Sequence, residues 1–290
     1  MTVEAHLDPT RKQDFVLLFD VKDGNPNGDP DAGGMPRTDP ETMQGLVTDV
    51  AIKRKIRNMV ALLGENRPGY DIYVEAGVSL NSQHERAYTA LGIPKSKDKS
   101  KDTTAQGRAR DWMCQTFYDV RMFGAVMTTG SQQAGRVQGP VQLTFSRSID
   151  PVLAQEHGIT RVTRTKEEAE KDTEMGGKHA IPYGLYLGYG HFSAPLARKT
   201  GVTSDDLAML WQSMGLMFEH DRASTRGEMT LRGLYVFSHN DQFGAAPSHT
   251  LFDLISVVRQ VDGPARAFGD YTVKVDETIP DKVTLTRVVE

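Results

Sequence analysis

Phe15-Val16-Leu17-Leu18-Phe19, followed by Asp23-Gly24-Asn25-Pro26-Asn27-Gly28-Asp29-Pro30-Asp31, sets the frame for the whole chain. The first run is apolar, short and unbroken, and reads as the centre of a buried strand spanning Asp14 to Val21. The second packs Asp, Gly, Asn and Pro, each a turn former for its own reason, directly behind that strand. Three uses fit such a loop: holding a metal, cradling phosphates, or turning the chain.

Calcium can be checked by counting. Asp23, Asn25, Asn27 and Gly28 match D-x-[DN]-x-[DN]-G, and Asp31 takes the ninth position. The twelfth position needs a bidentate Glu and holds Gly34. The loop also follows a strand rather than a helix, and Pro26 and Pro30 stiffen it. The calcium pattern therefore fails, which leaves an ordinary turn or an anion-facing loop. Calorimetry with calcium would expose any residual metal module.

The 290 residues allow one large domain or two small ones. Cys114 is the single cysteine, so an intrachain disulfide and a Cys-rich zinc site are excluded and a reducing cytoplasm is expected. It lies in a helical-looking segment and reads as a buried thiol. No stretch of about 18 apolar residues suggests a membrane span, and Met1 to Lys12 lacks the apolar core of a secretory signal. Net charge is −4, mildly against a general nucleic-acid binder. The distribution is bipolar, however, with cations in 53–57, 95–110 and 161–178 and acids in 20–41 and 270–281.

Along the chain, Thr38-Asp39-Pro40 reads as the entrance to a helix that stops at Gly64. Strands are expected at Asp71–Val74, Val141–Phe145, Tyr183–Phe192, Leu231–His239, Tyr271–Val275 and Val283–Arg287. Helices are expected near 106–119, over Asp205–His220 with Ser204 as cap, and over 249–260. Residues 92–104 form a lysine-rich loop. The order suggests an α+β sheet with helices on one face and long irregular insertions.

Two groups of residues carry the chemistry. On the wheel of the 40–63 helix, Lys53 and Arg57 fall inside the apolar arc and Arg54 on its flank. Cations there must snorkel, meet a buried carboxylate, or face an anionic ligand. The loop Thr128 to Gly139 offers three glycines, the amides Gln132, Gln133 and Gln138, and Arg136. It suits phosphate or ribose contact, or simply flexibility, and matches no nucleotide motif. Gly176-Gly177-Lys178-His179 closes a charged insertion, but His179 has no nucleophile at sensible spacing. The other histidines are scattered. Arg232 to Phe237 faintly echoes an RRM signature without its stacking aromatics and reads as a plain core strand.

Gly24-Asn25-Pro26-Asn27-Gly28-Asp29-Pro30, then Pro36-Arg37-Thr38-Asp39, then Ile52-Lys53-Arg54-Lys55-Ile56-Arg57 together resemble the CRISPR-associated backbone subunits, and most closely the Csd-type backbone protein of type I-C Cascade. Asp119 to Ala125 and Gly139-Pro140-Val141-Gln142 fit the same family. The resemblance spans nearly the whole chain and is weakest in 80–106 and 155–180.

It implies a modified RRM-like (ferredoxin-like) palm, residues 1–154 and 183–290, with a β-hairpin thumb inserted at 155–182. It also implies a non-catalytic protein that polymerises with further copies of itself along a crRNA. Target DNA would be met through guide pairing, and the partners would be other type I-C subunits: a pseudoknot-end cap, large and small subunits. No cofactor, metal or membrane is implied. The RNA-binding residues would be Asn25, Asn27, Arg37, Lys53, Arg54, Arg57, Gln132, Gln133, Arg136, Gln138, Lys178 and His179. A guide varies in sequence, so its holder must grip phosphate and ribose and leave base edges free. The competing expectation is a metal-dependent ribonuclease of the type III backbone kind, using Asp29, Asp31 or Asp39.

Overall fold

A computed structural model of the chain describes residues 4–94, 103–163, 167 and 174–290. The opening apolar run is the middle of β1 (Gln13–Gly24). Two very short strands follow, β2 (Gly28–Asp29) and β3 (Met35–Pro36), then β4 (Gln44–Val47) and helix α1 (Asp49–Leu63). Helices α2 (Leu80–Ala90), α3 (Thr103–Thr116) and α4 (Tyr118–Phe123) lead to a hairpin, β5 (Gly124–Met127) and β6 (Gly135–Gln138). Strands β7 (Val141–Leu143), β8 (Ser146–Pro151), β9 (Gln155–Arg161) and β10 (Glu174–Phe192) come next. The rest comprises α5 (Ala194–Thr200), α6 (Ser204–Leu216), β11 (Glu228–His239), α7 (Ser248–Phe252), β12 (Ile255–Arg259), β13 (Tyr271–Val275) and β14 (Val283–Val289).

The main sheet is antiparallel in the order β14-β11-β1-β10-β8-β4, with β7 and β9 also paired to β10. β1 is its axis, pairing with β10 from Gln13↔Phe192 to Gly24↔Ile181 and with β11 from Gln13↔Ser238 to Lys22↔Glu228. Alternate side chains of a strand leave on opposite faces, and both faces of β1 are covered. Phe15, Leu17, Phe19 and Val21 pack on α1, α4 and α6 through Ile52, Ile56, Met122, Leu210, Trp211 and Met214. Val16 packs with Leu251 and Ile255, and Leu18 with Tyr183, Ala265 and Tyr271, beneath α7 and the β12–β13 pair. A second, smaller core joins α2, α3 and the β5–β6 hairpin around Tyr73, Met113, Phe117 and Met127.

Buried polar groups clamp these layers. Asp14, at the start of β1, accepts hydrogen bonds from His191 on β10 at 2.6 Å, His239 on β11 at 2.8 Å, Lys12 at 2.5 Å and Ser248 on α7 at 2.9 Å. Burial works to raise its pKa, but His191, His239 and Lys12 outweigh it and hold the carboxyl far below the usual range. Arg121 on α4 grips Asp206 on α6 with two nitrogens, at 3.0 and 2.7 Å, and donates to the carbonyls of Cys114 and Gly69.

The strands expected around 183–192, 231–239, 271–275 and 283–287 lie within β10, β11, β13 and β14. Several other expectations need correction. The helix after the loop begins at Asp49, capped by Thr48, whose hydroxyl accepts from the Ala51 N–H. Asp39 caps a turn instead, accepting from the N–H groups of Glu41 and Thr42, and Gln44–Val47 pairs with β8. Asp71–Val74 makes one isolated bridge, Asp71↔Phe117, because the Tyr73 and Val74 N–H groups turn to the Asp119 carboxylate. Residues 249–260 are one helical turn and then β12, where the β-branched Ile255, Val257 and Val258 pair with β13.

Thr203, not Ser204, caps α6, in a capping box with Asp206. The 106–119 helix breaks at Phe117, and α2 was not anticipated. The lysine-rich stretch at 95–102 lies outside the described residues, as do 164–166 and 168–173 of the charged insertion. β9 and the first part of β10 pair as a hairpin from Gln155↔Ala180 to Arg161↔Glu174, and β10 runs on without a break through residue 182 into the sheet. Among the described residues no helix is long and apolar enough to cross a membrane.

The β1–β10 contact is tight enough to test. A methyl group on Gly190 would lie 2.0 Å from Cζ of Phe15, in the fully buried core. Gly190→Ala is therefore expected to lower unfolding free energy by about 1–3 kcal/mol in a denaturant titration. A neutral result would mean that this register is wrong.

Candidate nucleic-acid interface

The loop after β1 is stapled to its surroundings. The Asn25 N–H donates to the Thr225 carbonyl at 2.8 Å, and its side-chain amide donates to the Gly34 carbonyl at 2.7 Å. Asn27 Oδ1 accepts the Thr48 N–H at 2.9 Å, which ties the loop to the start of α1. Arg37 donates its backbone N–H to the Asn27 carbonyl, and its guanidinium stands 3.4 Å from Asp29 Oδ1. Both asparagines thus hold the loop in shape. Because Gly24 pairs with Ile181, the loop leaves the sheet beside the place where His179 and Lys178 enter the β9–β10 hairpin.

The aspartates fix turns. Asp29 accepts from the Asp31 N–H at 3.1 Å. Asp39 bonds Arg147 at 2.8 Å, and that bond is the main reason its carboxyl lies below the ordinary range. Among the described residues no three His, Cys, Asp or Glu side chains are grouped to hold a metal ion.

One turn into α1, Lys53 donates to Asp49 at 3.0 Å, and its Nζ lies 5.8 Å from the centre of the Phe123 ring. Arg57 donates through Nε to Asp119 at 2.7 Å, with its guanidinium carbon 5.3 Å from the same ring. Both cations therefore have intrachain partners, the carboxylate option among those the helix wheel left open. One nitrogen of each is engaged in these bonds, so further donors remain on both side chains. Arg54 turns aside and donates to the Val74 carbonyl at 2.7 Å. The most deeply buried cation of the helix is Lys55, 5% exposed and bonded to Asp221, which also holds Arg226. Burial is the main cause lowering the Lys55 pKa.

Phe123 connects α1 to the glycine-rich segment. It lines a cleft with Arg136, Gln138, Gly139 and Gln142, and is itself only 6% exposed. Arg136 and Gln138 are exposed on alternate positions of β6, with Val137 buried between them. The backbones at the base of this hairpin nearly touch: Gly124 has φ 78°, and a Cβ on Gly139 would lie 2.2 Å from the Phe123 carbonyl carbon. The glycine there permits chain crossing rather than ligand approach.

The structure thus brings Lys53, Arg57, Arg136 and Gln138 around Phe123, with the Asn25–Arg37 loop at the head of α1. Besides Asn25, Asn27 and Arg54, two more of the expected residues have intrachain roles. Gln132 is buried, and Gln133 folds onto Gly130 while its carbonyl accepts from Tyr88. Lys178 and His179 lie opposite His157 and Glu156 in the hairpin.

The family model for the CRISPR-associated protein Cas7 matches residues 11–276. The chain belongs to the Cas7 family. The CRISPR-associated protein Cas7 of Haloferax volcanii is 26% identical over 216 residues, 69% of this chain and 62% of that protein. The chain therefore spans about three fifths of the length of this Cas7 relative. A chain of the solved structure described as "CRISPR RNA-guided surveillance complex, pre-nicking" superposes with a TM-score of 0.50, covering 81% of this chain and 79% of that one at 14% identity. At that identity the likeness concerns the fold: a mixed α/β protein built on a central antiparallel sheet.

Reading this Cas7-family sequence alone missed Lys55 and Phe123. Both stand only within stretches that carry the family resemblance, and no local signal marks them, because their partners Asp221, Lys53 and Arg57 come from other elements. The environments of Arg57 and Lys53 make separable forecasts. Arg57→Ala strands the buried Asp119 and is expected to cost about 3–5 kcal/mol. Lys53→Ala loses one i,i+4 pair, about 0.3–0.5 kcal/mol. Equal melting curves for the two variants would contradict this account of Asp119.

Proposed function

We propose that this chain is a non-catalytic backbone subunit that holds a crRNA by its phosphates and riboses in a Cascade complex of the type I-C kind. The observation that carries the reading is the surface around Phe123. It offers lysine, arginine and amide groups, while its one aromatic ring is buried under the cations and cannot stack on a base. Such a surface grips a nucleic-acid backbone and leaves bases free to pair with target DNA. Family membership over residues 11–276 supports the same reading.

On this proposal the sheet and its helices are a modified RRM-like palm. The β9–β10 hairpin is the thumb, and further copies of the chain line up along one RNA. Each copy binds weakly and the array binds tightly, because later contacts on one strand are intramolecular. The other type I-C subunits close the ends and flanks. Asp29 and Asp39 are occupied with turn N–H groups, Arg37 and Arg147, which speaks against using them for metal-dependent RNA cleavage, and among the described residues no three His, Cys, Asp or Glu side chains are grouped around Asp31.

Full-length chain should bind single-stranded oligo-U, oligo-A and mixed RNA within a few-fold of one another. Lys53→Ala with Arg136→Ala should weaken all of them by about tenfold, and the slope of log K against log salt should fall by about 1.4, roughly 0.7 per lost phosphate. Strong preference for one sequence, or unchanged binding, would contradict the reading. Target RNA complementary to the guide should remain intact in Mg²⁺. Cleavage abolished by Asp29→Ala or Asp31→Ala would replace the reading with a nuclease.

A further inference from the structure

β6 is a wall between two clefts. Arg136, Val137 and Gln138 line the one that contains Phe123, and the same three residues line a neighbouring cleft of about 560 Å³. On its far side the second cleft is closed by Arg198 and Lys199 from the last turn of α5, and on its floor by Arg110 and Asp111 of α3. Arg110, Arg136, Arg198 and Lys199 are all exposed. The carboxylate in the cleft, Asp111, stands 4.0 Å from Arg110, a weak pairing. Among the described residues, no carboxylate is paired with Arg136, Arg198 or Lys199.

Cations in a last helical turn suit the helix dipole. That accounts for Arg198 and Lys199 alone, and leaves Arg110 and Arg136, which come from other elements, without a reason to share their cleft. Cys114 of α3, also in the lining, has its thiol pushed up to about 11 by burial, so it adds neither charge nor a nucleophile. Four cations from three elements, against one carboxylate, make a site for a polyanion.

We propose that this cleft is a second phosphate subsite, so that a single RNA strand crosses β6 from the Phe123 cleft and continues between Arg110 and Arg198–Lys199. The inference rests on the backbone-binding reading above and adds the direction in which the strand leaves. Arg136, exposed on β6 and shared by both clefts, contacts the phosphate at the crossing. An acidic surface of a second protein is the other chemistry such a cleft could take. The shared strand favours RNA, because it sets the two clefts side by side, within reach of one RNA strand that crosses Arg136.

The test compares Arg198→Ala/Lys199→Ala with Lys53→Ala in the full chain. Single-stranded RNA binding is read as affinity and salt slope, and self-association by sedimentation. Arg198 and Lys199 are exposed and away from the core, so melting should be unchanged. The expected result is about tenfold weaker RNA binding and a slope smaller by about 1.4, two phosphates at about 0.7 each. If Lys53→Ala weakens binding while the double variant binds with unchanged affinity and slope, the subsite is overturned and the backbone-binding reading stands. If neither variant weakens binding, that reading falls and the subsite with it. Unchanged RNA binding with lost self-association would overturn the subsite and assign the cleft to a protein partner.

Discussion

β1 is buried on both faces, and the arrangement of the other layers follows from that. A strand whose alternate side chains are both apolar cannot lie at the surface of a sheet with one wet face. It needs one cover of helices and a second cover behind. Here α1, α4 and α6 supply the first, and α7 with β12–β13 supplies the second. Each buried Phe or Leu contributes about 1.5–3 kcal/mol, so exposing either face would be ruinous for a marginally stable domain. The cover opens near the end of β1, at the exposed Lys22 and Asp23, and beyond Gly24 the chain leaves the sheet as the loop that meets the head of α1.

The helices laid over β1 carry more charge than a core face ordinarily tolerates. Lys55 meets Asp221, Arg57 meets Asp119, and Arg121 meets Asp206. Each pair joins elements distant in sequence and fixes their relative placement. Breaking one leaves an uncompensated buried charge. The same bonds decide which cations remain for a ligand. Lys53 and Arg57 can share theirs, whereas Arg136, Arg198 and Lys199 have no carboxylate partner among the described residues. The basic character of the interface therefore sits as much on β6 and α5 as on the helix that attracted notice first.

How much of this was legible follows from which signals were local. The runs at 15–19, 183–192, 231–239 and 283–287 announced their strands because burial in a sheet selects continuous or alternating apolar residues. β4 was hidden because Thr38-Asp39-Pro40 is chemically a good helix start, and only pairing with β8 shows that Asp39 caps a turn. α2 went unseen because Leu80 to Ala90 carries few apolar residues. Residues 71–74 resembled a strand, but their N–H groups are claimed by Asp119, a partner 45 and 46 residues away. In the site, the basic residues could be named from sequence, while their partners could not. Asn25 and Asn27, expected to face RNA, each also spend one side-chain group on bracing the loop. That Arg136 and Lys53 both lie beside Phe123, and that Arg110 and Arg198 line one cleft, depends on tertiary packing with no local trace.

These observations describe a scaffold that presents a line of cations and amides, from the head of α1 across Phe123 and over β6, and whose loop aspartates Asp29 and Asp39 are engaged in its own turns. The most direct measurement is photo-cross-linking of a 4-thiouridine RNA to the full-length protein, with the adducts mapped by mass spectrometry. The account predicts adducts in the segments 48–57, 123–138 and 196–201, with none on the β12–β13 cover. Adducts concentrated in 255–275, with the β6 segment unmodified, would contradict it.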